Sequence, residues 1–285
     1  MAVALSRSSA SSAADLPKFR NPPVSEVALS LQFDPLPGLQ IHHFGLLWTK
    51  YRDKFPKVES HPPIERAVEV FQREPIVQPA VTFELVNPFM TPRVWFLGET
   101  GSELLQIQRD RFIVNWRRVR PEDKYPHYEH IREMLEREFS TFSTFVVEHK
   151  LGNIACNQCE VTYINQIQTC EVWDRHAKVG SVLNVMAPEF KEETLPTPEL
   201  FRFSAQYIMG QHDAPIGRLH LDFQPAFRPT DRKPIFMMNF TARGKPMGEG
   251  FTGALKFLDE GRSNIVRGFR ALTTPEMHKE WGLNG

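Results

Sequence analysis

The sequence predicts an α+β fold: two βαβββα-like halves with largely antiparallel sheet and long helices packed on one face, a saddle or helix-grip-like arrangement. Three observations predict it. Short runs of period-two alternation recur between turn signals, and two long stretches carry apolar residues at spacings of three and four. The segment Phe112-Ile113-Val114-Asn115-Trp116 matches Phe236-Met237-Met238-Asn239-Phe240 at an offset of 124 residues. The same offset carries a helix beginning near His127 onto one beginning near Phe251, so the halves read as an internal duplication. The expected organisation is a disordered tail over 1–18, a first half over 19–152, and a second half over 153–285 ending in a docking helix.

In the first half, Val24 to Phe33 puts Val27, Leu29, Leu31 and Phe33 on one face, the pattern of a half-buried strand. Pro35 and Pro37-Gly38 stop it. Ile41, Phe44, Trp48, Tyr51 and Phe55 then form the stripe of a helix that Pro56 closes. Seven prolines between 56 and 92 allow only short extended pieces there, such as Ala80–Val86. A three-stranded meander follows over Val94–Leu97, Leu104–Gln108 and Arg111–Arg117, turning tightly at Arg109-Asp110. Tyr128, Ile131, Leu135, Phe139, Phe142 and Val146 mark a helix of about six turns, ended by Gly152.

The second half repeats the plan. Glu160–Gln168 reads as a strand, Val179–Met186 as a short helix, and Ala187–Pro198 as an acidic, proline-broken loop. Phe201–Met209, Arg218–Phe223 and Ile235–Ala242 are strands, and Phe251 to Leu272 is a long helix. At the end, Thr274 is placed to cap a short helix with Pro275 at its first position. Met277 and Trp281, four apart, are then placed to dock it on the body.

Three stretches, FRNPPVSEVALSLQFDPL (19–36), VNWRR…YPHY (114–128) and FRALTTPEMHKEWG (269–282), resemble a sporadically distributed bacterial family of uncharacterised proteins. Members of that family begin with an NPPV-x-EV strand and end with an LTT-x-x-x-H-x-x-WG tail. The resemblance covers the chain from about residue 19 to its end. It implies no activity and no catalytic residues; a sporadic distribution implies an accessory, defence-like role.

Composition narrows the function classes. Thirty-four basic and 34 acidic side chains give zero net charge, which excludes a strongly basic nucleic-acid coat. A 41% hydrophobic content excludes disorder of the whole chain. No apolar run approaches the roughly 18 residues of a membrane span. The first 16 residues lack the apolar core of a secretory signal, and three cysteines are too few for a disulfide framework. A cytoplasmic setting is expected, with no membrane, metal or cofactor.

Each chemical constellation has a plainer structural reading. Cys156, Cys159, Cys170 and His176 carry zinc-binding residue types. A strand over Glu160–Gln168 would hold Cys159 and Cys170 about 36 Å apart, at roughly 3.3 Å per residue, so no zinc site is expected. His220 and Asp222 share a strand face, where Asp222 could orient His220 as a general base, with Asn239 or Arg243 nearby. No nucleophile motif accompanies them, and a salt-bridged or solvated pair is the plainer reading. Arg109, Arg111, Arg117, Arg118 and Arg120 form the densest basic cluster, interleaved with Trp116 and Tyr125. Trp116 falls on the core face of its strand, and Glu122 and Asp123 can neutralise the patch. Gly244 to Gly250 precedes a helix but has no phosphate-loop fingerprint. The expectation is a noncatalytic binding module with a protein or nucleic-acid partner; the alternatives are a hydrolase using His220 and Asp222 in a sheet cavity, and a small-ligand sensor.

Overall fold

The computed structural model describes residues 16–71, 91–185 and 198–284. The tail over 1–15, the piece over 80–86 and almost all of the acidic loop lie outside them. Along the chain run β1 (Lys18–Phe19), β2 (Val24–Phe33), α1 (Ile41–Tyr51), β3 (Lys57–His61), β4 (Arg93–Leu97), β5 (Glu103–Gln108), β6 (Arg111–Arg117) and α2 (His127–Glu148). After them come β7 (Cys156–Gln168), a 3-10 helix (His176–Ser181), β8 (Phe203–Gly210), β9 (Pro215–Phe227), β10 (Pro234–Gly244), α3 (Gly250–Leu272), α4 (Pro275–Glu280) and β11 (Leu283–Asn284).

Nine strands form one antiparallel sheet in the order β3-β4-β5-β6-β2-β7-β10-β9-β8. Its middle seam pairs β2 with β7, Leu29 opposite Val161. Outward from β2 the order is β6, β5, β4; outward from β7 it is β10, β9, β8. The mixture of helix with antiparallel sheet is thus the expected α+β class.

The alternation read from the sequence sets the two faces. Val27, Leu29, Leu31 and Phe33 of β2 are fully buried and face the helices, and Phe112 of β6 packs its ring 5.1 Å from Phe142 and 5.5 Å from Phe139 of α2. On the other side of the seam, Phe240 of β10 meets Phe269 of α3. Burying each such side chain contributes about 1.5–3 kcal/mol. Gly217 and Gly244 stand opposite one another on β9 and β10, both against the Phe257 ring of α3. A Cβ on Gly244 would meet the Ile216 carbonyl and the Phe257 ring, so glycine here lets Phe257 seat against the strand ends.

Three details differ from the sequence reading. Leu16 and Lys18, expected in the tail, belong to the fold: Leu16 is buried, and β1 pairs with β11 where the Phe19 ring packs 5.5 Å from Phe269 and 6.2 Å from Trp281. The expected helix over 179–186 is a 3-10 turn at His176–Ser181, with Leu183 already bridged to Thr273. β3, hidden among prolines, is the sheet's edge strand beside β4. The capping of α4 follows expectation: Thr274 Oγ1 accepts from the Met277 amide and donates to the Ser181 carbonyl, while Met277 and Trp281 are buried.

Candidate functional site

The sheet face away from the helices is polar but not open. Ser30, Gln32, Gln106, Gln108, Asn115 and Gln158 all project from it and are buried. What covers many of them is residues 62–71, PPIERAVEVF, which leave the end of β3 and run across the strands instead of along them. Pro62 and Pro63 lack amide hydrogens, so the segment starts poorly suited to joining the ladder.

The contacts advance strand by strand. On β5, Gln108 accepts from the Ile64 amide at 2.9 Å and donates to the Ile64 carbonyl at 2.9 Å. On β6, Arg111 donates to the Glu65 carbonyl at 2.9 Å. On β2, Gln32 accepts from the Ala67 amide at 3.1 Å, and on β7 Gln158 accepts from the Glu69 amide at 3.3 Å. Three strand spacings of about 4.8 Å separate β5 from β7, and five extended residues at about 3.3 Å span a matching length. The fit is therefore geometric: an extended backbone laid crosswise meets one long side chain per strand.

The Glu69 carboxylate carries the contact onward to β10 and β9. One oxygen accepts from His220 Nε2 at 2.6 Å and lies 3.4 Å from Arg243 Nη1; the other accepts from Arg218. Arg218 also donates to the Val70 carbonyl and stacks on the Phe71 ring at 5.0 Å. Arg243 is shared with Glu160, at 2.5 Å. The Glu69 side chain is only 5% exposed, against 17–25% for its three cationic or ionisable partners. Burial by itself raises the Glu69 carboxyl; the His220 hydrogen bond and the charges of His220, Arg243 and Arg218 outweigh it and hold the group below its ordinary value.

This geometry reassigns the expected pair. His220 and Asp222 lie on the same strand face, but among the described residues no bond joins them, and Asp222 is exposed. The carboxylate that engages His220 is Glu69, because adjacent same-face positions on a strand point in parallel while the crossing segment points straight at the ring. Asn239 faces Asp222 across the ladder, and Thr241 faces His220.

Nor do the five arginines form one open patch. Arg111 is 4% exposed, bound to Gln32 at 2.6 Å and to the Glu65 carbonyl. Arg109 reaches the Leu36 carbonyl, Arg117 donates to the Gly101 carbonyl and lies over the Trp95 ring, and Arg120 pairs with Asp123 at 2.9 Å. Arg118 is half-buried, its backbone amide bound to the Ser25 carbonyl. Trp116 is buried in the core, beside Tyr125. Burial pushes the Cys156 thiol up to about 11 and raises Cys159 further, so neither is an activated nucleophile. Among the described residues no cluster of three or more histidines, cysteines or acids could hold a metal, and no helix is long and apolar enough to cross a membrane.

Glu69 and its segment were missed by sequence reasoning. The usable signal was on the strands: amide side chains, not lysines or glutamates, at Gln32, Gln108 and Gln158 suit a covered polar face better than a solvated one. Comparison with known proteins adds no ligand or activity. No protein-family model matches the chain, and no curated protein matches it.

Proposed function

We propose that this protein is a noncatalytic binding module that takes an extended, acidic segment of a protein partner across its polar sheet face. The observation that carries the reading is residues 62–71, held through backbone amides by Gln108, Gln32 and Gln158 and through one carboxylate by Arg218, His220 and Arg243. Amide side chains bonding a backbone discriminate little among sequences, whereas the basic cluster requires an acid at one position. On this reading residues 62–71 are an internal stand-in for the partner. The face also has unused capacity: Gln158 Nε2, Asn239 Oδ1 and Arg111 Nε are buried with no hydrogen-bond partner among the described residues.

A protein partner is favoured over nucleic acid because Arg111 is buried, Arg109 and Arg117 are bonded to backbone carbonyls and Arg120 is paired with Asp123, whereas a phosphate backbone needs several free cations at once. The hydrolase alternative has less support, since Glu69 and two arginines already surround His220. The bacterial accessory setting implied by the resemblance belongs to this proposal. So does duplication: β2 and β7, β6 and β10, and α2 and α3 take equivalent places in chain order, and the last two pairs begin 123 residues apart, within one of the 124-residue sequence offset. On that account the sheet joins two helix-grip-like units through their first strands.

Fluorescence anisotropy with labelled PPIERAVEVF peptide tests the function. The peptide is expected to bind Glu69→Gln protein at least tenfold more tightly than wild type, where the internal copy competes. Replacing the peptide's second glutamate by glutamine should weaken that binding. Equal affinity for wild type and variant, or indifference to that glutamate, overturns the proposal.

A further inference from the structure

A second site lies on the opposite, helix-bearing side of the sheet. There a cavity of about 530 Å³ opens between the β1 arm, the start of α2, the β2–β7 seam and α3. That volume falls in the range of roughly 300–1,000 Å³ usual for small-molecule sites. Four stretches distant in sequence build it: Phe19, Arg20 and Val24 from the first, Tyr125 and His127 from the second, Tyr163 from the third, and Arg262 and Phe269 from the fourth. β1 is held in place by β11, with the Arg20 amide bonded to the Gly282 carbonyl.

The chemistry inside is asymmetric. Arg262 projects from α3 and stacks on Tyr128 at 5.0 Å; the Tyr128 hydroxyl is itself fixed to Asp259 at 2.7 Å. The guanidinium is therefore positioned from behind. Among the described residues its Nε is buried without a hydrogen-bond partner, and its carboxylate neighbour, Glu129 at 3.2 Å, is 64% exposed where Arg262 is 19% exposed. An ion pair with so exposed an acid contributes little and is readily exchanged for a better-placed anion. Beside it, the hydroxyls of Tyr125 and Tyr163 lie 2.9 Å apart. Burial raises both phenols, Tyr163 to about 12, so both keep their protons near neutrality. One hydrogen joins the two oxygens, which leaves the other to be donated. Lys18 and Arg20 add positive charge beside the cavity, where Glu129 is the one acid among the described lining residues, while Phe19, Val24, Ile265 and Phe269 supply an apolar, partly aromatic wall. His127, the first residue of α2, holds a left-handed φ of 69° beside the cavity, a strained backbone of the kind that collects at ligand sites.

We propose that this cavity binds a small aryl-alkyl carboxylate, its anionic end on Arg262 and the Tyr125–Tyr163 pair and its ring against Phe19 and Phe269. A neutral molecule of the same shape would fill the apolar wall but leave the guanidinium unanswered. The site is independent of residues 62–71, which lie across the other face.

Isothermal titration with 4-phenylbutyrate and its neutral amide, 4-phenylbutanamide, tests the assignment on the full chain. The carboxylate is expected to bind one to one and at least tenfold more tightly than the amide. Arg262→Gln should abolish that preference. Because Arg262 also packs on Tyr128, two gentler variants accompany it: Tyr163→Phe, which keeps the ring, and exposed Arg20→Gln; each should reduce the preference severalfold, the Arg20 variant with an unchanged melting temperature. No binding at millimolar ligand, equal binding of acid and amide, or a preference that survives all three substitutions overturns the proposal.

Discussion

Glu69→Gln is the sharpest perturbation of the polar face, because it keeps the side chain's shape and removes its charge. In the wild type the carboxylate accepts from His220 at 2.6 Å and from Arg218, with Arg243 at 3.4 Å. Hydrogen bonds involving a charged group contribute about 1.5–3 kcal/mol each, but several to one acceptor do not add fully. The three partners are 17–25% exposed, so water takes over part of the lost interaction. A weakening of about 2–3 kcal/mol in the attachment of residues 62–71 follows. Hydrogen exchange reads this directly, since the Ile64, Ala67 and Glu69 amides are bonded to Gln108, Gln32 and Gln158. At about 1.4 kcal/mol per factor of ten, those amides should exchange about 30- to 150-fold faster in the variant, while amides of the β2–β7 seam stay unchanged. Acid should mimic the substitution. With its folded-state pKa depressed, Glu69 contributes attachment that is complete above its ordinary pKa and lost as pH falls through the folded value. Corrected for intrinsic rates, the same three amides should loosen in that window in wild type and show no such dependence in Glu69→Gln. Exchange that changes less than threefold, or that rises equally throughout the sheet, refutes the reasoning.

Further outcomes follow from the packing. Gly244→Ala places a methyl group against the Ile216 carbonyl and the Phe257 ring, and urea denaturation should show a loss of about 1–3 kcal/mol. Thr274→Ala removes the cap of α4 together with its bond to Ser181 and should cost about 1–2 kcal/mol by the same measurement. Cys156, with its thiol raised to about 11, should react slowly with iodoacetamide near pH 8 and about tenfold faster per pH unit until it ionises.

The sequence exposed the fold where one face of an element is apolar. β2 has the expected ends because alternation and Pro35 both mark it, and α2 and α3 differ from their expected spans by about a turn or less. The α4 cap was legible because its chemistry lies within four residues. Legibility failed where partners are remote. Glu69 lies 149 residues from Arg218 and 151 from His220, and nothing local in PPIERAVEVF announces that it crosses a sheet. Asp222 looked like the partner of His220 because it is near in sequence. The arginines looked like a patch because their spacing does not reveal that Gln32 and the Glu65 carbonyl cover Arg111.

Amide exchange of the wild-type chain during titration with unlabelled PPIERAVEVF tests the central claim most directly, because it follows the face and its internal segment together. Saturating peptide is predicted to shift the side-chain amide signals of Gln32, Gln108 and Gln158 while the Ile64, Ala67 and Glu69 amides lose their protection in step. Peptide that binds while those three amides stay protected, or that leaves the three glutamines unmoved, contradicts it.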